Sequence, residues 1–590
     1  MTRQKNSIRK AAASLSQVVF GMALLASWSA EASTQPNVVL ILADDVGYSD
    51  FGAYGSEVST PNIDALADRG VLFSNSHTSP MCASSRAMLM TGQSSHRAGV
   101  GNLPEFTPAD WREHPSYLGH LAPDVVTIAQ RLKPLGYDTY MTGKWHLGHD
   151  PESLPSARGF DRTFILDATG ADNWEHRSYL PFQEAPWYED GEPVQLPDDY
   201  YSSRHLVDKM IEFVGDREEG AKPFFAYLAM QAVHIPVQAP REFTEKYLET
   251  YTGGWHALRE QRRAAAVRKG LIPADAPIRP IPEKLREWDG LDTDDRAMAI
   301  KSMAVYAGMI EAMDFNIGRL IEHLKQTGQY DNTVFIVTSD NGAEGSDPLA
   351  SGVMRMWLPR SGYNRDLETL GERGSYVFIG PEFANAASAP GAWFKFTSSE
   401  GGLRVPLIVA APGMSSRRVE HGLSYVTDVA ATIYDFAASA PAAPGEMMGR
   451  SLRPILNGET HAIYAESDII GLEAAGHSAL FQGHHKITRV NPPHGDRKWR
   501  LYDLAIDPGE TRDLASAEPE RFQAMLVEYA AWAKANKVIQ VPDDYTHVKQ
   551  MTINFAAHLM ETRPWVLAIP AVILLFLLGL IWGMYRLVRG

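Results

Sequence analysis

Two pairs of oxygen-bearing side chains in this chain, Asp-Asp and Asp-Asn, stand at the ends of apolar runs. Residues 38–43 (Val-Val-Leu-Ile-Leu-Ala) end in Asp44-Asp45, and residues 333–338 (Thr-Val-Phe-Ile-Val-Thr) end in Ser339-Asp340-Asn341-Gly342. Adjacent carboxylates repel each other, and a bound divalent cation relieves the repulsion. An isolated Asp-Asp also serves as a solvated turn or a helix cap, so neither pair decides anything alone. Together they offer four oxygen ligands at matching places, the hard donor set that calcium prefers.

A second group carries positive charge or a nucleophile. Lys144 and His146 follow the run 137–142 and alternate along an extended segment, so they face one way while Trp145 turns the other. His234 follows the run 224–229, and Lys395 precedes the turn Gly401-Gly402, whose exposed backbone suits an anion. Each has an ordinary alternative, a surface lysine or a hydrogen-bonded core histidine. Cys82 is the only cysteine and has no intramolecular disulfide partner. A lone cysteine commonly packs as a small hydrophobe. This one opens Cys82-Ala83-Ser84-Ser85-Arg86 and leads into the apolar 87–90. That places it at a helix N-terminus beside an arginine, where anionic chemistry is favoured.

The elements that must hold these residues alternate strand-like runs with amphipathic helices. That pattern predicts an α/β fold with a large, mostly parallel sheet flanked by helices and the site at the carboxyl ends of its strands. The Ala/Pro/Gly-rich stretch 438–449 marks a boundary, so 33–440 reads as the catalytic body and 441–545 as a smaller C-terminal α+β domain. With 45% hydrophobic residues the chain can bury a large core. A net charge of −16 argues against nucleic acid as a partner. Trp174, Tyr179, Trp187, Tyr188, Met354, Met356 and Trp357 either line an apolar pocket or pack loops onto the body. Arg259, Arg262, Arg263 and Arg268 read as a solvated helix face, or as one that approaches anionic lipid.

Both ends read as membrane-directed. Arg3, Lys5, Arg9 and Lys10 precede the uncharged stretch 11–30 and the small-x-small Ala30-Glu31-Ala32, so 1–32 is expected to be a signal peptide, with an uncleaved anchor as the alternative. Residues 565–585 carry no charge and as a helix would run about 31 Å. Trp565, Trp582 and Tyr585 lie at the edges, and Arg586 and Arg589 follow. The expectation is a stalk over 546–564, a transmembrane helix over 565–585 and a cytoplasmic tail over 586–590. The catalytic body would then be exported and anchored in the cytoplasmic membrane, on its periplasmic, extracytoplasmic side.

Cys82-Ala83-Ser84-Ser85-Arg86 followed by Thr91-Gly92 resembles the signature of the formylglycine-dependent sulfatases, Cys-x-Pro-Ser-Arg leading to Thr-Gly. Ser84 stands where that family usually has Pro or Ala. Thr60-Pro61-Asn62-Ile63-Asp64, Gly143-Lys144-Trp145-His146, Ser339-Asp340-Asn341-Gly342, Glu400-Gly401-Gly402 with Arg404-Val405-Pro406, and Leu501-Tyr502-Asp503-Leu504 are similar to the family's further motifs, in order. The resemblance is to the bacterial arylsulfatase-like group of the alkaline phosphatase superfamily. It implies an enzyme that cleaves aryl or alkyl sulfate monoesters. It implies one Ca2+ on Asp44, Asp45, Asp340 and Asn341, with residue 82 at the ion as well. It implies that a formylglycine-generating enzyme converts Cys82 to 3-oxoalanine, and that Arg86 stabilises it. Lys144, His146, His234 and Lys395 would line the sulfate pocket, with Asp340 as base, His146 taking the later proton, and His234 or Lys395 protonating the leaving oxygen. Two alternatives stand beside it: a phosphonate or phosphate ester hydrolase of the same superfamily, and an inactive, membrane-anchored anion-binding homologue.

Overall fold

The computed structural model describes residues 35–181, 183–216, 221–443 and 445–562. The strands, in chain order, are β1 (Asn37–Ala43), β2 (Val71–Phe73), β3 (Ser76–His77), β4 (Asp138–Lys144), β5 (Arg162–Leu166), β6 (Trp187–Glu189), β7 (Glu192–Pro193), β8 (Phe224–Ala229), β9 (Thr333–Ser339), β10 (Leu407–Ala410), β11 (Arg418–Glu420), β12 (Ser424–Tyr425), β13 (Ile469–Ala474), β14 (His477–Gln482), β15 (His485–Arg489) and β16 (Trp499–Asp503). Among the described residues the main sheet has ten strands in the order β11-β2-β10-β9-β1-β8-β4-β5-β6-β7. β1, β8 and β9 are buried at every position, which is why they read as continuous apolar runs: helices cover both faces of the sheet. Val39, Ile41 and Phe335 point into one core, and Val38, Leu40 and Val334 into the other, the two-residue period of a strand.

The sheet corrects the expectation of a mostly parallel one. Its centre, β9-β1-β8-β4-β5, is parallel throughout. β10 runs against both β9 and β2, and β6 runs against β5 and β7, so the architecture is mixed α/β. The physical reason is that the chain ahead of β10 stays at the carboxyl edge of β9, where Gly342 N–H donates to Gly402 O at 3.1 Å, so β10 starts at that edge and runs back along β9. β13–β16 form a separate four-stranded antiparallel sheet, and the helix Pro519–Ala535 packs on it.

The membrane reading is also corrected. Among the described residues no helix is long and apolar enough to cross a membrane. The expected span 565–585, the tail 586–590 and the signal 1–32 lie outside the described residues, and anchoring by a C-terminal helix is not carried forward. The helix before that span, His547–Thr562, has 16 residues, about 24 Å at 1.5 Å per residue against the roughly 30 Å of a hydrocarbon core. It lies on the protein body instead: Asn554 donates to the carbonyls of Glu105 and Thr107, at 2.9 Å each. The basic run is corrected too. Arg262 is fully buried, with Asp50 and Glu57 as its partners at 2.5 and 2.8 Å, so this helix turns part of its charge inward.

Candidate active site

Register brings the scattered motifs together. Ala43 of β1 pairs with Ser339 of β9, so Asp44 and Asp340 leave the sheet side by side. β8 lies on the other side of β1 and β4 beyond it, which adds His234 and the Lys144-Trp145-His146 segment along the same carboxyl edge. Asp45 and His146 both adopt left-handed backbone, at φ 65° and 58°. For non-glycine residues that conformation costs about 1 kcal/mol or more and persists where the surroundings enforce it. Asp45 N–H donates to Asp340 Oδ1 at 3.2 Å, and the turn is closed by that bond.

Cys82 is the first residue of the helix Cys82–Thr91, which is buried along its whole length and ends at Gly92 with φ 65°. Thr78 docks the approach, donating to Asp340 O at 3.2 Å and to Ser85 Oγ at 2.8 Å. Ser84 Oγ donates to Val100 O at 2.9 Å. Because position 84 lies in the first turn, its N–H has no partner within the helix. Lys395 comes in from the far end of the sequence. Its N–H donates to Ala343 O and that of Phe396 to Pro80 O, both at 3.0 Å, tying it to β9's exit and to the approach to Cys82.

The charges are buried and interlocked. Arg86 grips Asp340 Oδ2 through Nε (2.9 Å) and Nη2 (2.7 Å) and donates to Lys144 O at 2.7 Å. Lys144 Nζ lies 2.7 Å from Asp44 Oδ2, and Lys395 Nζ 2.7 Å from Asp45 Oδ1. His234 Nε2 is 3.8 Å from Asp45 Oδ2, and His146 Nδ1 is 3.4 Å from Cys82 Sγ. Burial pushes Asp44 up to about 8 against the pull of Lys144. Burial also opposes ionisation of Asp45, yet Lys395, His234 and Lys144 hold it at about 2. Burial and then Lys144 depress both His146 and His234 far below the usual imidazole value, so both are neutral. Burial raises the Cys82 thiol to about 11.

The oxygens of Asp44, Asp45 and Asp340 all come within 4.8 Å of one another. Asn341 Nδ2 donates to Asp45 Oδ1 at 2.7 Å, while its buried Oδ1 has no hydrogen-bond partner among the described residues. An unsatisfied buried carbonyl beside three carboxylates is the donor set of a hard cation. The ten residues singled out from the sequence therefore gather in one place. Glu344 was not among them: its Oε2 lies 3.0 Å from Lys395 Nζ. Its only sequence signal is its place two residues past Gly342 in the loop that also carries Asp340 and Asn341. Tyr179 meets the His234 ring edge-on at 5.1 Å, and Tyr179 and Met354 pack in one cluster with Ile235 and Tyr376. Trp187 does not join them; it is buried against Phe164 and Tyr200.

The family model described as Sulfatase matches residues 36–439. This chain belongs to the sulfatase family. An uncharacterized sulfatase of Schizosaccharomyces pombe is 34% identical over 534 residues, covering 87% of this chain and 96% of that one. An arylsulfatase of Klebsiella aerogenes is 37% identical over 413 residues, covering 69% and 88%. A crystal structure titled Ps i-CgsB in complex with k-i-k-neocarrahexaose shares the fold, with a TM-score of 0.61 at 24% identity over 89% of this chain and 98% of that one. The protein is thus an arylsulfatase-like sulfuric ester hydrolase, and its substrate is a sulfate ester.

Proposed function

We propose that this sulfatase hydrolyses aryl or alkyl sulfate monoesters at the carboxyl edge of the main sheet, with residue 82 as nucleophile after its conversion to formylglycine. The observation that carries the reading is the setting of Cys82: buried, first in its helix, with His146 Nδ1 3.4 Å from its sulfur. A thiol raised to about 11 is scarcely ionised at neutral pH and makes a poor nucleophile as it stands. Formylglycine at this position would supply a hydrated aldehyde, a nucleophile suited to the sulfur of a sulfate ester. Asp44, Asp45, Asp340 and Asn341 would hold calcium, whose chemistry there is to neutralise charge on the sulfate oxygens.

The chain's own residues do the rest. Lys144 and Lys395 attract the monoanionic ester and offset charge on the transferring oxygens. Arg86 fixes Asp340 through one hydrogen bond from Nε and an ion pair at Nη2, and we assign that carboxylate the role of base toward residue 82. His146, neutral and beside residue 82, accepts a proton at Nδ1. His234, whose Nδ1–H donates to Ile235 O at 2.7 Å, keeps an unprotonated Nε2 toward the pocket, so we assign protonation of the leaving oxygen to Lys395, whose ammonium is held beside Asp45 and Glu344. Maturation by a formylglycine-generating enzyme belongs to this reading, with Ser84 at the third position of the segment it would read.

The test is the mass of the tryptic peptide containing Cys82, purified from the native host, together with turnover of an aryl sulfate. Replacement of CH2SH by CHO with sulfate release supports the proposal. An intact thiol with undiminished turnover would refute it. Assaying a phosphonate monoester in parallel tests the second superfamily chemistry, which predicts the higher kcat/KM for the phosphonate.

A further inference from the structure

A second set of metal-ligand side chains stands outside the catalytic centre, at the tip of the C-terminal sheet. β14 and β15 are joined by the two-residue turn Gly483-His484, with Gly483 at φ 58°, the positive value that tight hairpins require. His484 is therefore presented at the tip, immediately before His485 on β15. In the β15-β16 ladder His485 lies directly opposite Asp503, so their side chains share a face. Imidazole nitrogens of His484 and His485 and a carboxylate oxygen of Asp503 all come within 4.8 Å of one another.

The polar atoms here are spaced too widely for hydrogen bonds. His484 Nε2 is 3.7 Å from Asp503 Oδ2, His484 Nδ1 is 3.9 Å from Glu466 Oε2, and His485 Nε2 is 3.8 Å from Glu518 Oε2. Neither imidazole makes a hydrogen bond to another described residue, and the two rings lie 4.3 Å apart. Asp503 has its other oxygen occupied, since Oδ1 accepts from Ala505 N at 3.0 Å. That bond turns Oδ2 toward His484. Glu466 faces the second nitrogen of the same ring, the place where carboxylates orient metal-bound histidines.

We propose that His484, His485 and Asp503 form a binding site for a transition-metal dication of the zinc type. Two imidazoles and one carboxylate suit Zn2+ and are a poor match for Ca2+, which takes oxygen ligands. The site is chemically orthogonal to the all-oxygen set at Asp44, Asp45, Asp340 and Asn341. A metal held here joins the β14-β15 turn to β16 and stabilises the C-terminal sheet without touching the catalytic residues.

The experiment is a titration of the full chain with ZnCl2 in excess calcium, followed by calorimetry and by thermal unfolding. The wild-type chain is expected to bind one zinc with a rise in Tm. His484→Ala, a substitution at a partly exposed turn residue, should weaken that binding at least tenfold and abolish the Tm rise, with aryl sulfate turnover unchanged. Asp503→Asn should weaken it as well. Failure of the wild-type chain to bind zinc under these conditions, or equal zinc affinity in the wild type and His484→Ala, would overturn the proposal.

Discussion

Replacing Lys486 by methionine tests how far the main sheet and the C-terminal sheet depend on each other. Lys486 on β15 is fully buried and donates to Glu400 Oε1 and Glu510 Oε1, both at 2.8 Å. Glu400 also meets His77 Nε2 at 2.9 Å, and its N–H donates to Glu510 Oε2 at 2.9 Å. Methionine keeps most of the volume and removes the charge. Two hydrogen bonds to charged groups contribute about 1.5–3 kcal/mol each, and stranding buried carboxylates costs about 3–5 kcal/mol. Since both figures describe one loss, we expect Lys486→Met to destabilise by about 3–5 kcal/mol. Lys486→Met/Glu510→Gln removes one of the stranded charges and should recover about 1–2 kcal/mol of coupling. Burial already raises Glu510, and without the lysine that shift grows. A carboxylate with a raised folded-state value stabilises below its unfolded value, and that contribution is lost as pH rises through the folded one. The penalty of Lys486→Met should therefore shrink as pH falls through the raised folded-state value of Glu510 and be smallest below its unfolded value of about 4.3. Guanidinium unfolding followed by tryptophan fluorescence, at neutral and acid pH, reads all three quantities. A loss below about 1 kcal/mol, or strictly additive single and double variants, would refute the assignment of Lys486 as a buried clamp.

At the catalytic edge, Cys82→Ala should abolish aryl sulfate turnover while leaving the unfolding midpoint within about 1 kcal/mol of wild type, and residual turnover at wild-type level would contradict the nucleophile assignment. Asp340→Asn removes a carboxylate that Arg86 orients, so calcium affinity measured by calorimetry should fall at least tenfold; unchanged affinity would place the ion elsewhere. For His146→Ala the expected loss in kcat is about 10²–10⁴-fold, the usual contribution of a positioned base, measured by steady-state kinetics with little change in KM.

The site was more legible in the sequence than the frame around it. Strands 37–43 and 333–339 are apolar in their middles and buried at every position, as β1 and β9 must be with helices on both faces, and the residue after each strand is by geometry a residue at the sheet edge. Asp44, Asp340, Lys144 and His234 could be read for that reason. The direction of β10 could not, because a four-residue apolar run looks the same parallel or antiparallel, and neither neighbour, β9 nor β2, is adjacent to it in the sequence. The inward turn of Arg262 was hidden likewise: Asp50 and Glu57, which neutralise it, carry no local sign of the pairing. Glu344 was missed because a single glutamate in a loop has no periodicity. The C-terminal hydrophobic run showed the opposite weakness, since a length of uncharged residues suggested a membrane role that the described helices do not support.

The burial of Cys82 imposes an order on events in time. The residue is at 0% exposure, at the start of a helix that is itself wholly buried. Any enzyme that oxidises it must reach it before Lys395 and Phe396 close over Pro80. On the proposed conversion of Cys82 to formylglycine, folding and that conversion would be in a race, and the window would stay open only until the chain beyond Lys395 has been made and has docked. A slower-closing C-terminal sheet lengthens that window. Destabilising substitutions there, Lys486→Met among them, would then raise the modified fraction of the protein while lowering its stability.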